Sequence, residues 1–461
     1  MKQIIRIALC AGLLAAGTAG CNDFLKGGEL TNNPTRPVTA NISQLFVSSE
    51  AALWSQQTEN LGRLVAMWMQ QLEGVARQAK GTYTYVGVSE ASFDGEFEIP
   101  YIGGGLVDLH VIDSLAQASN DRRYLGMAQI IEAMLIGTTA DMWGDIPYSQ
   151  AAKPDSFPTP QLDPQMTVYD SLQTLLSAAI DNLESGEGVG PEDADLVYGA
   201  ALDSQAGKWI ALAHTLQARL YLHTAEVAGA SAYAAALAEA QLGIRSNGGD
   251  YVVPFTGAAQ GESNPWWQIM DNNGGTGRAG DLVATDSVYL YTLLDSLGDP
   301  RLAEYYDLTN KTGGYLSKFR DRAAFPQPIV TYNERLLIEA EALYAIGNES
   351  AALDTLNAER AAWAAATPWH RAITLPPISA SGPDLLAAIM REKYITLFQN
   401  VEVWNDYKRT CIPALRPVNG AAAIPGRLLY GRTERQTNPN VPDVGAQPQR
   451  NANDPNACPT P

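Results

Sequence analysis

The stretch Thr331–Trp363, TYNERLLIEAEALYAIGNESAALDTLNAERAAW, constrains the chain most. Tyr332, Leu336, Leu337, Ala340, Leu343 and Tyr344 recur at three- and four-residue steps and line one face of a helix. Thr331 followed by Glu334 has the form of a capping box, which sets where that helix starts. Gly347-Asn348 can take the left-handed conformation that ends it. A second stripe, Ala352, Leu353, Leu356 and Trp363, follows at once. Helices joined by so short a turn lie antiparallel and bury each other's apolar faces.

Ala340, Gly347 and Ala352 stand where tetratricopeptide hairpins need small residues for close backbone approach, and Leu356 fills the groove between the helices. Trp209, Ala213, Leu216, Leu220 and Leu222, then Ala234, Ala235, Leu237 and Leu242, repeat the plan earlier in the chain. One hairpin cannot cover its own outer face, so such units stack into a superhelix. The two are far apart, so the expected fold is all-α: a tetratricopeptide-like superhelical scaffold interrupted by long irregular loops. No Gly-, Ser- or Pro-rich linker divides the 461 residues, which predicts a single domain.

Net charge is −19, and it becomes more negative once Lys2 and Arg6 are removed. An acidic chain without a basic stripe argues against nucleic acid and against an electrostatic membrane patch. Residues 1–20 carry a basic start, an apolar run over Ile7–Ala16 and Thr18-Ala19-Gly20 before Cys21. The run is too short to span a membrane. It resembles a bacterial lipoprotein signal peptide, although Thr18 replaces the usual Leu; the thiol of Cys21 would carry the lipid, and residues 21–37 form a polar leash. An ordinary secretory signal is the alternative. With Cys10 removed and Cys21 acylated, Cys411 and Cys458 remain for an oxidising compartment. A disulfide would pin the Asn/Pro-rich tail, residues 443–461, to the helical body; two free thiols is the other reading.

Helices are expected over Ile42–Trp54, Leu61–Val75, Val107–Ala118, Arg123–Trp143, Val168–Leu183 and Pro383–Phe398. Residues 80–104 and 247–328 lose the helical period, and long loops on a rigid scaffold are where binding usually sits. In DMWGDIPYSQA, residues 141–151, Asp141 and Asp145 read as capping and turn residues rather than metal or acid–base carboxylates. SNPWWQIMDNNGG, from Ser263, sets Trp266 and Trp267 in a polar, Gly-rich segment. Sugar rings stack their C–H faces on indole, and amides can bond hydroxyls. The expected ligand platform is therefore Trp266 and Trp267, with at least one exposed, beside Asn264, Asn272 and Asn273 and with Tyr83, Tyr85 and Phe93 as neighbours.

Taken in order, these pieces resemble the SusD/RagB family of outer-membrane nutrient-binding lipoproteins. The match rests on Cys21 with the following NDFL, on Trp143-Gly144-Asp145-Ile146-Pro147-Tyr148, and on Lys208-Trp209 leading to Ala218-Arg219-Leu220-Tyr221-Leu222. It continues through Asn264-Pro265, Asp299-Pro300-Arg301-Leu302, Glu339-Ala340-Glu341-Ala342 and Trp404-Asn405-Asp406-Tyr407 with Arg409-Thr410. Arg427-Leu428-Leu429-Tyr430 with Glu434 and Asn438-Pro439 close it. Cys411 departs from the family's usual Gly, and Lys408 from its frequent Arg. The resemblance implies a helical body that packs on a TonB-dependent (SusC-like) transporter, a loop-rich half presenting ligand outward, lipid anchoring at the cell surface and no catalysis.

Four functions fit such a chain to different degrees. Capture of oligosaccharide or polysaccharide for import leads; the same fold capturing peptide or another polymer comes second. An enzyme, such as a glycoside hydrolase, lacks a nucleophile elbow, zinc spacing or P-loop. His110, His214, His223 and His370 are not spaced as a helical ligand pair and read as packing or surface residues, so neither metal nor cofactor is expected. A purely protein-binding tetratricopeptide adaptor leaves the aromatic loops unexplained. Residues alone do not choose between sugar and peptide.

Overall fold

The computed structural model describes residues 41–199, 201–270, 278–309, 314–454 and 458. Cys21, the leader, the leash, Asn272 and Asn273 lie outside the described residues. The chain divides into Met1–Gln44 and Leu45–Pro461, and the second unit is the one described below. Its principal helices are α1 (Ile42–Thr58), α2 (Asn60–Trp68), α3 (Leu106–Ser119), α4 (Arg122–Trp143), α5 (Gln165–Glu184) and α6 (Leu202–His223). They continue as α7 (Ala230–Leu242), α8 (Tyr332–Ala345), α9 (Glu349–Ala362), α10 (Gly382–Thr396) and α11 (Glu402–Thr410). From α3 to α8 each helix packs on the next, and α8 then receives both α9 and α10. The architecture is helix-dominated, a stacked ribbon of hairpins.

The hairpin α8–α9 shows why it stacks. Leu337, Ala340 and Leu343 meet Ala352 and Leu356 across the turn and Leu385, Ala388 and Ile389 of α10 beyond it. The other flank of α8, Ile338 and Ala342, meets Ala218, Leu222, Ala236 and Ala240 of the α6–α7 hairpin. Alanines at the crossings let the backbones approach, and truncating one of the buried leucines to Ala costs about 2–5 kcal/mol. Thr331 caps α8 by accepting from the Glu334 N–H at 3.2 Å. Glu334, however, does not return the bond as a capping box would; its carboxylate is turned inward to Arg219. Gly347 takes a φ of +86°, while Asn348 starts α9 by accepting from the Ala351 N–H.

The loop-rich half differs from the sequence reading in detail. Residues 80–104 contain no strand; they hold short helices over Arg77–Tyr83 and Asp94–Glu98. α2 stops at Trp68 rather than running to Val75, and Glu73–Gly74 pairs antiparallel with Leu282–Val283. Tyr251–Val253 pairs antiparallel with Gln327–Val330, tying the two ends of the second loop region together. Cys411 and Cys458 are joined by a disulfide, with Cα atoms 5.1 Å apart. The tail before it returns to the body: the Asn451 amide donates to the Asp141 carbonyl at 2.6 Å.

Candidate functional site

Among the described residues, two of the places that combine polar chemistry with space or burial bear on the residues singled out in the sequence. The first is a ladder of buried charges running through the helical stack. Arg219 of α6 makes a bidentate pair with Glu334 of α8, both contacts at 2.7 Å. Lys393 of α10 bridges Glu341 at 2.8 Å and Asp406 at 2.7 Å, and Arg409 of α11 bonds the same two carboxylates. Arg301 is fully buried between Asp299 and Glu392, and Arg360 holds the second oxygen of Glu392. Losing one partner of such a pair leaves an uncompensated charge in a low dielectric and costs about 3–5 kcal/mol.

At the centre of the ladder lie Asp141, His223 and Glu402, three residues able to hold a metal ion. His223 Nδ1 lies 2.8 Å from an Asp141 carboxylate oxygen, and Nε2 faces Glu402. Burial alone would lower the imidazole pKa, but the two carboxylates outweigh it and push it up to about 10. Burial likewise works against Glu402, yet His223 and Arg219 hold it below the usual carboxylate range. Both ring nitrogens thus face carboxylates, and the three residues form a buried ion triad. The neighbouring cavity, about 10 Å³, has room for one water. Asp141 is thus not the turn residue expected, and His223 is an ionic strut: a helix C-terminal Asp and a helix C-terminal His, far apart in sequence, meet in one buried cluster. Asp145 does serve the turn, accepting from the Gln165 N–H at 2.9 Å.

The second place is an open cleft of about 100 Å³ in the loop-rich half. α2, the helix Arg77–Tyr83, the segment 88–96, Ile269 and residues 278–282 surround it. Leu61, Leu64, Met67, Phe93 and Leu282 give it an apolar lining; Asn60, Arg63, Gln78, Thr82, Glu96, Arg278 and Asp281 give it donors and acceptors. Asn60 bonds both Glu96 and Arg63, so the rim is already ordered.

The expected platform is redistributed around this cleft. Trp266 is 1% exposed and presents no face to solvent, because its indole packs on the Gly62 backbone of α2. Segment 265–270 is a short helix rather than irregular chain. Asn264 is also buried, and it is a cap: its side chain accepts from the Trp266 N–H and donates to the Phe325 carbonyl, both at 2.8 Å. Phe93 is buried too, with its ring set edge-on to Trp143, yet it contributes to the cleft lining. Trp267, Tyr83 and Tyr85 remain partly exposed. Burial, then the nearby Glu73, lifts the Tyr83 phenol to about 12; burial also lifts Tyr85, set edge-on to Trp68, to about 12. Sequence reasoning missed Asn60, Arg63, Gln78, Thr82, Arg278 and Asp281. One signal was present: Arg63 is a charge between Leu61 and Leu64 on the apolar stripe of α2.

A scaffold of helical hairpins thus carries an open cleft in its loop-rich half. Residues 32–431 match the SusD-like family described as starch-binding and associating with the outer membrane, and the chain belongs to that family. Among solved structures it is similar to a SusD/RagB family protein from Bacteroides thetaiotaomicron, with 18% identity and a TM-score of 0.73 over 91% of this chain and 100% of that one. It is also similar to a chitin-binding SusD homolog from Flavobacterium johnsoniae, with 18% identity and a TM-score of 0.68 over 90% and 97% of the two chains. A SusD homolog from Bacteroides uniformis gives 19% identity and a TM-score of 0.67 over 89% and 98%. No curated protein matches the sequence. The residues behind the resemblance sit mostly in the ladder and its supports: Trp143 donates to the Leu429 carbonyl at 2.8 Å, and Arg427 donates to the Trp143 carbonyl.

Proposed function

We propose that the protein is a non-catalytic glycan-binding lipoprotein. In this reading it holds a saccharide chain at the cleft lined by Asn60, Gln78, Thr82 and Phe93 and passes it to a TonB-dependent transporter in the outer membrane. The observation that carries the reading is the cleft itself, an apolar lining under a rim of amides and hydroxyls, on a chain of a family described as starch-binding. Its volume is well below the roughly 300–1,000 Å³ that encloses a drug-sized ligand, so it suits one unit of a chain lying across the surface. The chitin-binding relative supports a glycan as the ligand class. The absence of catalysis is supported by the engagement of the nearby carboxylates: Glu96 accepts from Asn60, and Asp281 pairs with Arg77 at 3.4 Å.

Glycan and peptide arrays probed with the full mature chain test the ligand class. Glycan spots alone are expected to retain it; retention by peptides alone would overturn the reading. Anchoring is tested by fatty-acid labelling, which should mark the wild type and miss Cys21→Ser. Affinity purification from outer membranes should recover a large β-barrel, and recovery of the protein alone in mild detergent would count against delivery.

A further inference from the structure

We propose that the helical scaffold carries a second binding site, a groove between α6 and the turn after α7 that receives an acidic, leucine-bearing peptide segment of a partner protein. The groove, of about 540 Å³, is lined from residues 204–211 and 242–249, none of which lines the cleft. Its walls are fixed from beneath. The Ile244 N–H donates to the Thr215 hydroxyl at 3.0 Å, and Arg335 donates to the Ile244 carbonyl at 2.8 Å. At the far end of the turn the Tyr198 hydroxyl donates to the Gly249 carbonyl at 2.9 Å. A site held in shape loses little freedom on binding.

Charge sets one half of the ligand chemistry. On a chain of net charge −19, no carboxylate is among the described residues lining the groove, whereas Lys208 and Arg245 both are. Neither makes a hydrogen bond or an ion pair among the described residues. The Lys208 ammonium lies 5.3 Å from the centre of the Tyr198 ring, and Arg335, which feels the charge of Arg245, is itself paired with Glu339. Two cations without counter-charges suit carboxylates, which guanidinium and ammonium bind by charge-assisted hydrogen bonds.

Shape sets the other half. Ile210, Ala211, Leu242 and Ile244 give the groove an aliphatic side, with Leu242 left 48% exposed. None of the described lining residues is aromatic, so a sugar ring finds no flat face to stack on, whereas a leucine side chain finds aliphatic contact. Gly207 faces the groove from the interior of α6, where glycine is less favourable than alanine. Nothing lies within 4 Å of the place its β-carbon would take, and its φ is outside the left-handed region, so neither packing nor backbone geometry within this chain calls for glycine. Its lack of a side chain leaves the helix backbone open to close approach from outside. On the turn, Gly248 is similarly open, with the Ser246 hydroxyl as its near neighbour at 3.7 Å.

Fluorescence anisotropy on the full mature chain tests this with libraries of short labelled peptides of one length. One library mixes leucine with aspartate and glutamate, a second replaces the acids by their amides, a third replaces them by lysine, and a fourth replaces leucine by alanine. The best peptides of the first library are expected to bind about 10-fold or more tighter than those of the other three, the scale of one charge-assisted hydrogen bond. High salt should weaken them. Arg245→Gln, at an exposed position, should remove the preference for acids, and Gly207→Leu, which fills the groove, should abolish binding without lowering the melting temperature. Amide or alanine peptides binding as tightly, or acidic peptides still held by both variants, would overturn the inference. Self-association of the wild type that Gly207→Leu abolishes, with no peptide preference, would overturn it too and give the groove to a second copy of the chain. Neutral saccharides titrated alongside report on the cleft alone, so either reading can fail while the other stands.

Discussion

The indole of Trp266 lies against the backbone of Gly62: its Cζ2 is 3.2 Å from the point a β-carbon there would occupy, and the Gln57 carbonyl oxygen is 2.8 Å away. Gly62 sits inside a helix, where replacing Gly with Ala ordinarily gains about 1 kcal/mol. Here the new methyl meets a backbone atom that cannot rotate aside, and overpacking costs about 1–3 kcal/mol. Gly62→Ala is therefore expected to lower the melting temperature. Trp266→Ala should lower it further, by the roughly 3–5 kcal/mol of a buried aromatic. Thermal unfolding of both variants checks the order; a stable Trp266→Ala would return the ring to the ligand platform.

Trp267 is the member of the pair with exposed area, and Ile269 of the same short helix lines the cleft. Its substitution by Ala is expected to weaken saccharide binding by about 1–3 kcal/mol, by analogy with stacking losses elsewhere. Unfolding should barely shift. Unchanged affinity with a lower melting temperature would make it a second anchor.

His223 makes the fold sensitive to alkali. Its folded pKa is about 10 against an ordinary value of 6.5. The stabilisation from its charge is fully present below about pH 6.5 and is lost as pH rises through 10. Within that window the slope is at most about 1.4 kcal/mol per pH unit, the value for one proton. The wild type should therefore lose stability between pH 7 and 10 more steeply than His223→Gln, when denaturant midpoints are compared. Parallel curves would mean that the ring is neutral in the folded protein.

The bond between Cys411 and Cys458 spans 47 positions, for which chain entropy alone gives roughly 4 kcal/mol. Thiol titration of denatured, unreduced mature protein should find neither sulfur free. Reduction should lower stability by up to that amount and expose the tail to proteolysis first. Two reactive thiols before reduction would remove the link.

The helical stack was legible because its signals are local. The stripe and cap of Thr331–Trp363 and the helix ends near Trp143 can each be read within a few turns. The ladder was not, because its partners are paired across distance: Asp141 and Asn405 are 264 positions apart, and Arg219 and Glu334 are 115. A lone Asp before Trp143 looks like a turn residue until His223 and Glu402 arrive beside it. Trp266 misled for a related reason. Two adjacent tryptophans in a polar segment imply exposure only if nothing elsewhere is small enough to receive one, and Gly62 lies some 200 positions upstream. The cleft was the hardest feature to read, since residues between 60 and 96, Ile269 and residues 278–282 line it without any repeating spacing.

The contact between Asn451 and the Asp141 carbonyl also orders events in time. A chain is made from its N-terminus, and Asp141 waits 310 residues for that amide. Asn405 and Lys408, which also bond Asp141, come 264 and 267 positions after it. A chain that stops short of these residues therefore leaves the polar groups around Asp141 without the partners that dry them. Truncation before residue 451 removes Asn451, Asp454 and the Cys458 half of the disulfide. It should loosen the cluster around Asp141 and Lys408 while the packing of α6 to α10 remains, so the last segment acts as a late clasp on a body already formed.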